Sequence, residues 1–270
     1  MSKEENADYK GVMLPLYFFD YTRIKCYNSI KGGVEMIEFT GTGAAFNMGS
    51  EENSGYIVDG NRVVVIDCNS NTLKQLVRRK VVGKGSGTDT LSIWITHMHP
   101  DHVCGLGNMV FYARMILGLE IEIRCVDSNI EVFLSVQGVP RDMYKFARVE
   151  CGKEYPEGNM RFKVYKQSHS SNLECTSFRI QRGKDVIYYS GDGKDIPEEI
   201  IEEMKINKNM VMYQEVTIYK QASGVHMYIE RLESLVEERL RDRVYCMHFD
   251  DEETLGVVRD KGFKCTCTNI

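Results

Sequence analysis

The sequence predicts a layered α/β domain in which sheets lie between helices. Segments that read as strands alternate with segments that read as helices along most of the chain, a pattern that layers helices onto sheets. The 270 residues contain no Pro- or Gly-rich linker, repeat or low-complexity run, and suffice for one well-buried domain. The third observation places the working end of that domain. "LSIWITHMHPDHVCG", Leu91 to Gly105, carries three of the six histidines of the chain and an aspartate within six consecutive residues, directly behind an apolar run.

Taken in order, the first 35 residues stand apart as an N-terminal extension, and residues 36–270 form the catalytic domain. The extension carries an aromatic cluster (Tyr17, Phe18, Phe19, Tyr21, Tyr27), read either as an extra edge strand or as an element that reaches an active site across a dimer interface. It opens with mixed charge, and "VMLPLYFF" is short, broken by proline and followed by Asp20, unlike a secretion signal. "VVVIDC" is a strand ending in Asp67, and "LSIWIT" a buried strand followed by the apolar-faced helix "DHVCGLGNMVFYARMIL". Phe162 to Lys166 reads as a strand leading to His169. "DVIYYSGDGKD" is a strand running into Ser190-Gly191-Asp192-Gly193, and Val244 to Met247 is a short strand before His248.

Composition makes an H-x-H-x-D-H stretch a chance event on the order of one chain in ten thousand. Alternate residues of an extended segment point the same way, so His97 and His99 can grip one ion from one side. Pro100 then turns the chain, and Asp101 and His102 address a neighbouring position. Imidazole and carboxylate suit zinc, and also manganese or iron. Two pairs imply two metal sites, which need more ligands than one loop offers. His169, Asp192 and His248 each follow a strand and complete the requirement. Two metals about 3.5–4 Å apart can lower the pKa of a bridging water and stabilise charge on substrate oxygens.

The order of these motifs resembles the metallo-β-lactamase-fold hydrolases: "IEFTGTGAAF", Asp67 in "VVVIDC", "THMHPDH", His169, "SGDG" with Asp192, and His248, together spanning Met36 to the C-terminus. The resemblance implies an αββα sandwich, two mixed sheets between helices. It also implies that His97, His99 and His169 hold one metal and Asp101, His102 and His248 the other, with Asp192 bridging both. Asp67-Cys68-Asn69 stands where Asp-x-Gly is commoner, a departure that bears on local backbone geometry and not on the metal site.

Within that superfamily, "FTGTGAAFN" followed by "ENSGYIV" is similar to the phosphodiesterase branch of ribonuclease Z and its relatives, as are Glu215-Val216-Thr217 and His226. That likeness implies His226 as the catalytic proton donor, Glu215 as its orienting partner and Asp101 as a guide for the attacking hydroxide. An imidazole near neutral pH can protonate a leaving alkoxide. The tRNA-processing members usually carry a long arm between the third histidine and the bridging aspartate, whereas His169 and Asp192 are 23 residues apart here. The net charge of −5 and pI of about 5.8 also argue against a nucleic acid partner. The basic patch Arg78, Arg79, Lys80 and Lys84 reads as the solvated end of a helix. "SGVHMYIERL" and "YCMHFDDEE" look similar to cyclic-nucleotide phosphodiesterases.

The expectation is therefore a binuclear phosphodiesterase acting on a small phosphodiester, a cyclic nucleotide first, through a metal-bridging hydroxide. Its cofactors are two divalent ions, zinc or else manganese. The resemblance implies a homodimer. Nine scattered cysteines fit a reducing cytoplasm, and no run approaches the roughly 20 apolar residues of a membrane span. The alternatives are a tRNA 3′-processing endonuclease and a lactone or thioester hydrolase of the same fold, the latter with no need of His226.

Overall fold

The computed structural model describes residues 37–267, so the N-terminal extension and its aromatic cluster lie outside the described residues. The first half of the chain builds a six-stranded sheet in sequence order: β1 (Glu38–Gly41), β2 (Ser54–Asp59), β3 (Arg62–Ile66), β4 (Thr90–Trp94), β5 (Ile121–Cys125) and β6 (Tyr144–Arg148). The second half builds a seven-stranded sheet from β7 (Glu154–Glu157), β8 (Met160–Gln167), β9 (Cys175–Arg182), β10 (Asp185–Tyr189), β11 (Met210–Glu215), β12 (Val244–Met247) and β13 (Lys264–Cys265). Both are mixed. β1 to β3 pair antiparallel and β3 to β6 parallel; β7 to β10 pair antiparallel and β10 to β13 parallel.

Apolar side chains on successive strand residues point to opposite faces, and both faces are covered. On β3, Val64 and Ile66 enter the core between the two sheets, while Val63 and Val65 pack outward under helices. On β10, Ile187 and Tyr189 face the inter-sheet core, and Val186 and Tyr188 face the other way. Trp94 stacks on Phe162 with ring centroids 4.2 Å apart, joining the sheets across that core. The outer layer on the first sheet contains α1 (Thr72–Arg78), α2 (Pro100–Val103), α3 (Leu106–Phe111) and α4 (Asn129–Val136), through Leu76, Val103, Met109 and Leu134. On the second it contains α5 (Glu198–Ile206), α6 (Ile229–Leu235) and α7 (Glu252–Asp260), through Met204, Leu232 and Val258. The result is the expected αββα sandwich.

Two local features differ from the sequence reading. The helix expected over Asp101–Leu117 is divided into α2, α3 and a π-helical turn, Tyr112–Leu117. Arg78, Lys80 and Lys84 are solvated, but Arg79 turns inward and its guanidinium donates to the Phe39 carbonyl at 2.8 Å. No helix among the described residues is long and apolar enough to cross a membrane.

Candidate metal centre

Parallel strands leave their C-terminal ends on one edge of a sheet, and loops leaving those ends converge there. Here β3 delivers Asp67, β4 delivers His97 to His102, β8 His169, β10 Asp192, β11 Glu215 and β12 His248. His99 is extended (φ −67°, ψ 152°) and caps α2, with Pro100 in the first helical turn, where its missing N–H costs no hydrogen bond. This turn separates His97 and His99 from Asp101 and His102.

The structure brings together all seven residues read as ligands. His97 Nε2 lies 2.9 Å from His99 Nδ1, which lies 3.1 Å from His169 Nε2; Asp192 Oδ2 is 3.8 Å from both His97 and His169. Four-coordinate zinc would space such nitrogens roughly 3.3 Å apart. In the second group His102 Nε2 lies 3.3 Å from Asp101 Oδ2 and from Asp192 Oδ1, and His248 Nε2 lies 3.4 Å from Asp101 Oδ2 and 3.3 Å from Asp192 Oδ2. Asp192 thus belongs to both groups, His97–His99–His169–Asp192 and Asp101–His102–Asp192–His248.

The donor set fits divalent cations. His102 Nε2 and Asp192 Oδ1 are buried with no hydrogen-bond partner, an arrangement that is costly unless an ion occupies the space between them. Burial pushes His97 well below its ordinary pKa, and burial followed by the charge of His169 lowers His99, so both present neutral imidazoles. Burial alone would lower His102, but Asp192, Asp67 and Asp101 drive it well above its usual value. Three carboxylates around one imidazole make a site that calls for positive charge.

Asp67 is a member of this site that motif reading left without a role. Its carboxylate accepts from His102 Nδ1 at 2.8 Å and from the Thr96 backbone N–H at 2.8 Å. It thereby aims His102 Nε2 at the second group, as carboxylates behind ligating histidines do. His169 Nδ1 likewise meets the Val225 carbonyl at 2.9 Å. Asp67 and His248 hold positive φ, 61° and 58°, and such strain gathers at functional sites. Asn69, in place of the commoner glycine, does not; its Oδ1 accepts from the Thr72 N–H at 3.1 Å at the start of α1. The departure at Asp67-Cys68-Asn69 therefore leaves the turn intact.

His226 and Glu215 lie beside both groups. The His226 ring is 4.9 Å from His169 and 5.6 Å from His248, centroid to centroid. Its Nδ1 is 3.2 Å from Glu215 Oε2, and Glu215 Oε1 accepts from Met227 N–H at 2.8 Å. Burial would lower the imidazole pKa, but the hydrogen bond to Glu215, then the charges of Glu215, Asp192 and Asp250, raise it to about 9. The outcome is a 22% exposed imidazole, its charged form favoured by Glu215, next to the two ligand groups. Among the described residues no cysteine joins either group.

Comparison with known proteins gives consistent results. The family described as anti-Pycsar protein Apyc1 matches residues 36–265. Anti-Pycsar protein Apyc1 of Bacillus phage BSP38 is 25% identical over 237 residues, covering 80% of this chain and 89% of the phage protein. Two solved structures share the fold. The metallo-β-lactamase fold protein YhfI of Bacillus subtilis superposes with a TM-score of 0.65 at 17% identity, covering 86% of this chain and 94% of its own. The short form of human tRNase Z superposes at 0.62 and 16% identity, covering 86% and 95%.

Proposed function

The chain belongs to the anti-Pycsar protein Apyc1 family, and from that premise we propose that it is a two-metal phosphodiesterase that hydrolyses a cyclic nucleotide. The observation that carries the reading is the Glu215–His226 pair beside two adjoining ligand groups. A lactone or thioester hydrolase has no need of a dedicated proton donor at that position. A phosphodiester with a poor leaving group does.

His97, His99 and His169 would hold one divalent ion and Asp101, His102 and His248 the other, with Asp192 shared. The mixed imidazole and carboxylate donors favour zinc, with manganese as the alternative. When bound, such a pair activates water near neutral pH and neutralises charge on phosphoryl oxygens. Asp101 accepts a hydrogen bond from the attacking water and orients it. As water oxygen adds to phosphorus it loses one proton to solvent, the bond to the leaving alkoxide breaks and His226 gives that oxygen its proton, leaving a phosphomonoester. Glu215 holds His226 in place and stabilises its charged form.

Between His169 and Asp192 the chain forms little beyond β9, β10 and their turn, which leaves no room for a tRNA-gripping arm. This favours a compact substrate over a nucleic acid. A homodimer in the cytoplasm completes the proposal. The test is hydrolysis of cyclic AMP, GMP, CMP and UMP, a precursor tRNA and a lactone by metal-loaded protein and by His226→Ala. Rapid turnover of a cyclic nucleotide, abolished by the substitution and by chelation, is the expected result. Turnover of the lactone alone, indifferent to His226, would overturn the reading.

A further inference from the structure

The loop between β1 and β2 displays apolar side chains that the fold does not use. Phe46 and Met48 are 89% and 90% exposed, the most exposed large hydrophobic residues among those described, and Phe46 is the only exposed phenylalanine among them. The loop that carries them is built tightly. Gly43 N–H donates to the Glu51 carbonyl at 2.9 Å and Asn53 N–H to the Gly43 carbonyl at 2.8 Å, closing the loop on itself. Gly41 has no room for a side chain: a Cβ there would sit 2.1 Å from the Glu52 carbonyl oxygen.

The same loop is fastened beside the metal centre. Ala44 N–H and Asn47 Nδ2 both donate to the Phe249 carbonyl at 2.9 Å, and Phe249 N–H donates to the Thr42 carbonyl at 2.9 Å. Phe249 is the residue after His248. The Asn47 side chain also accepts from Gly49 N–H at 3.0 Å, so one residue fixes the span from Phe46 to Met48 and ties it to the second ligand group. An exposed aromatic on a loop bonded to the residue that follows His248 is suited to a flat apolar ligand. The groups that would meet the phosphate are histidines and carboxylates, which the proposed reaction commits to holding ions or moving a proton.

We propose that Phe46, with Met48 beside it, is the platform on which the base of the cyclic nucleotide stacks. It makes the β1–β2 loop a substrate-binding element of the proposed reaction, and it rests on that reading of the site. Stacking on an aromatic face suits any base, so the platform supplies affinity for a base as such.

The experiment compares the metal-loaded full chain with Phe46→Ala and Phe46→Tyr, on a cyclic nucleotide and on abasic ribose 3′,5′-cyclic phosphate, with sedimentation to record the oligomeric state. For Phe46→Ala the expected result is a rise of about 5- to 100-fold in KM for the cyclic nucleotide, as for loss of one stacked base, with kcat within about twofold. Phe46→Tyr retains the wild-type KM, and turnover of the abasic compound is the same in all three proteins. An unchanged KM in an active Phe46→Ala enzyme would overturn the platform and leave the phosphodiesterase standing. So would dissociation of an oligomer with equal losses on both compounds, which would assign Phe46 to a contact between copies. A wild-type protein that turns over neither compound would overturn the phosphodiesterase reading itself.

Discussion

Glu215 Oε2 lies 3.2 Å from His226 Nδ1, and Glu215 is fully buried while His226 is open to the ligand groups. The carboxylate fixes the ring with its other nitrogen, Nε2, free to serve substrate. Replacing His226 by alanine should lower kcat on a cyclic nucleotide by about 10²–10⁴-fold, the usual worth of a general acid. A diester with a p-nitrophenolate leaving group needs little protonation, so its loss should stay under about tenfold. Glu215→Gln keeps the size and the acceptor for Met227 N–H and should fall between wild type and His226→Ala. Equal losses on both substrates would remove His226 from the role of acid.

Asp67 accepts from His102 Nδ1 without reaching either ligand group. Asparagine tolerates the positive φ of this position and occupies nearly the same volume, so Asp67→Asn isolates the carboxylate. Affinity for an ion at the second group should drop about 10–100-fold, read by metal titration and by metal content after dialysis. A variant that keeps full metal content would show that Asp67 serves the fold alone.

Gly105 packs against the turn after β3. A Cβ on it would lie 2.0 Å from the Asn69 carbonyl oxygen, and its N–H donates to the Cys68 carbonyl at 3.0 Å. Backbone atoms cannot yield as a flexible side chain would, so Gly105→Ala should destabilise by about 1–3 kcal/mol, measured by urea unfolding of the metal-free protein. Because Cys68 N–H also donates to the His102 carbonyl, metal affinity should weaken in the same variant.

Arg179 grips Glu203 through two bonds of 2.7 Å between β9 and α5, with both residues half-buried. The hydrogen bond from Arg179 holds the Glu203 carboxyl below its ordinary value of 4.5. A depressed folded-state pKa contributes stability above the unfolded pKa and loses it as pH falls through the folded one. Glu203→Gln should therefore cost about 0.5–1 kcal/mol at pH 7, and the gap to wild type should close as pH drops below about 4. A gap independent of pH would mean that packing and not charge is responsible.

Much of the fold was legible because its signals are local. Val244–Met247 agrees with the observed strand residue for residue, since four apolar or aromatic residues lie between a charged turn and His248. β8 runs beyond the expected Phe162–Lys166 at both ends, taking in Met160, Arg161 and Gln167. The residues proposed as ligands were legible as residue types behind strands. What could not be read are pairings between distant residues: Asp67 with His102, His169 with the Val225 carbonyl, and the 44–49 loop with Phe249. No periodicity or spacing encodes a contact made by a backbone carbonyl.

Each ligand group draws two residues from loops of the first sheet and two from loops of the second: His97 and His99 with His169 and Asp192, and Asp101 and His102 with His248 and Asp192. An ion held by either group therefore rivets the two halves of the molecule together. It binds only when both sheets are in register, so its affinity adds to the cohesion of the seam and leaves the internal cohesion of each sheet unchanged. Slippage along that seam would part the ligands of either group while every strand remains paired. Activity is in this sense a gauge of how the halves are seated, more sensitive than any measure of secondary structure.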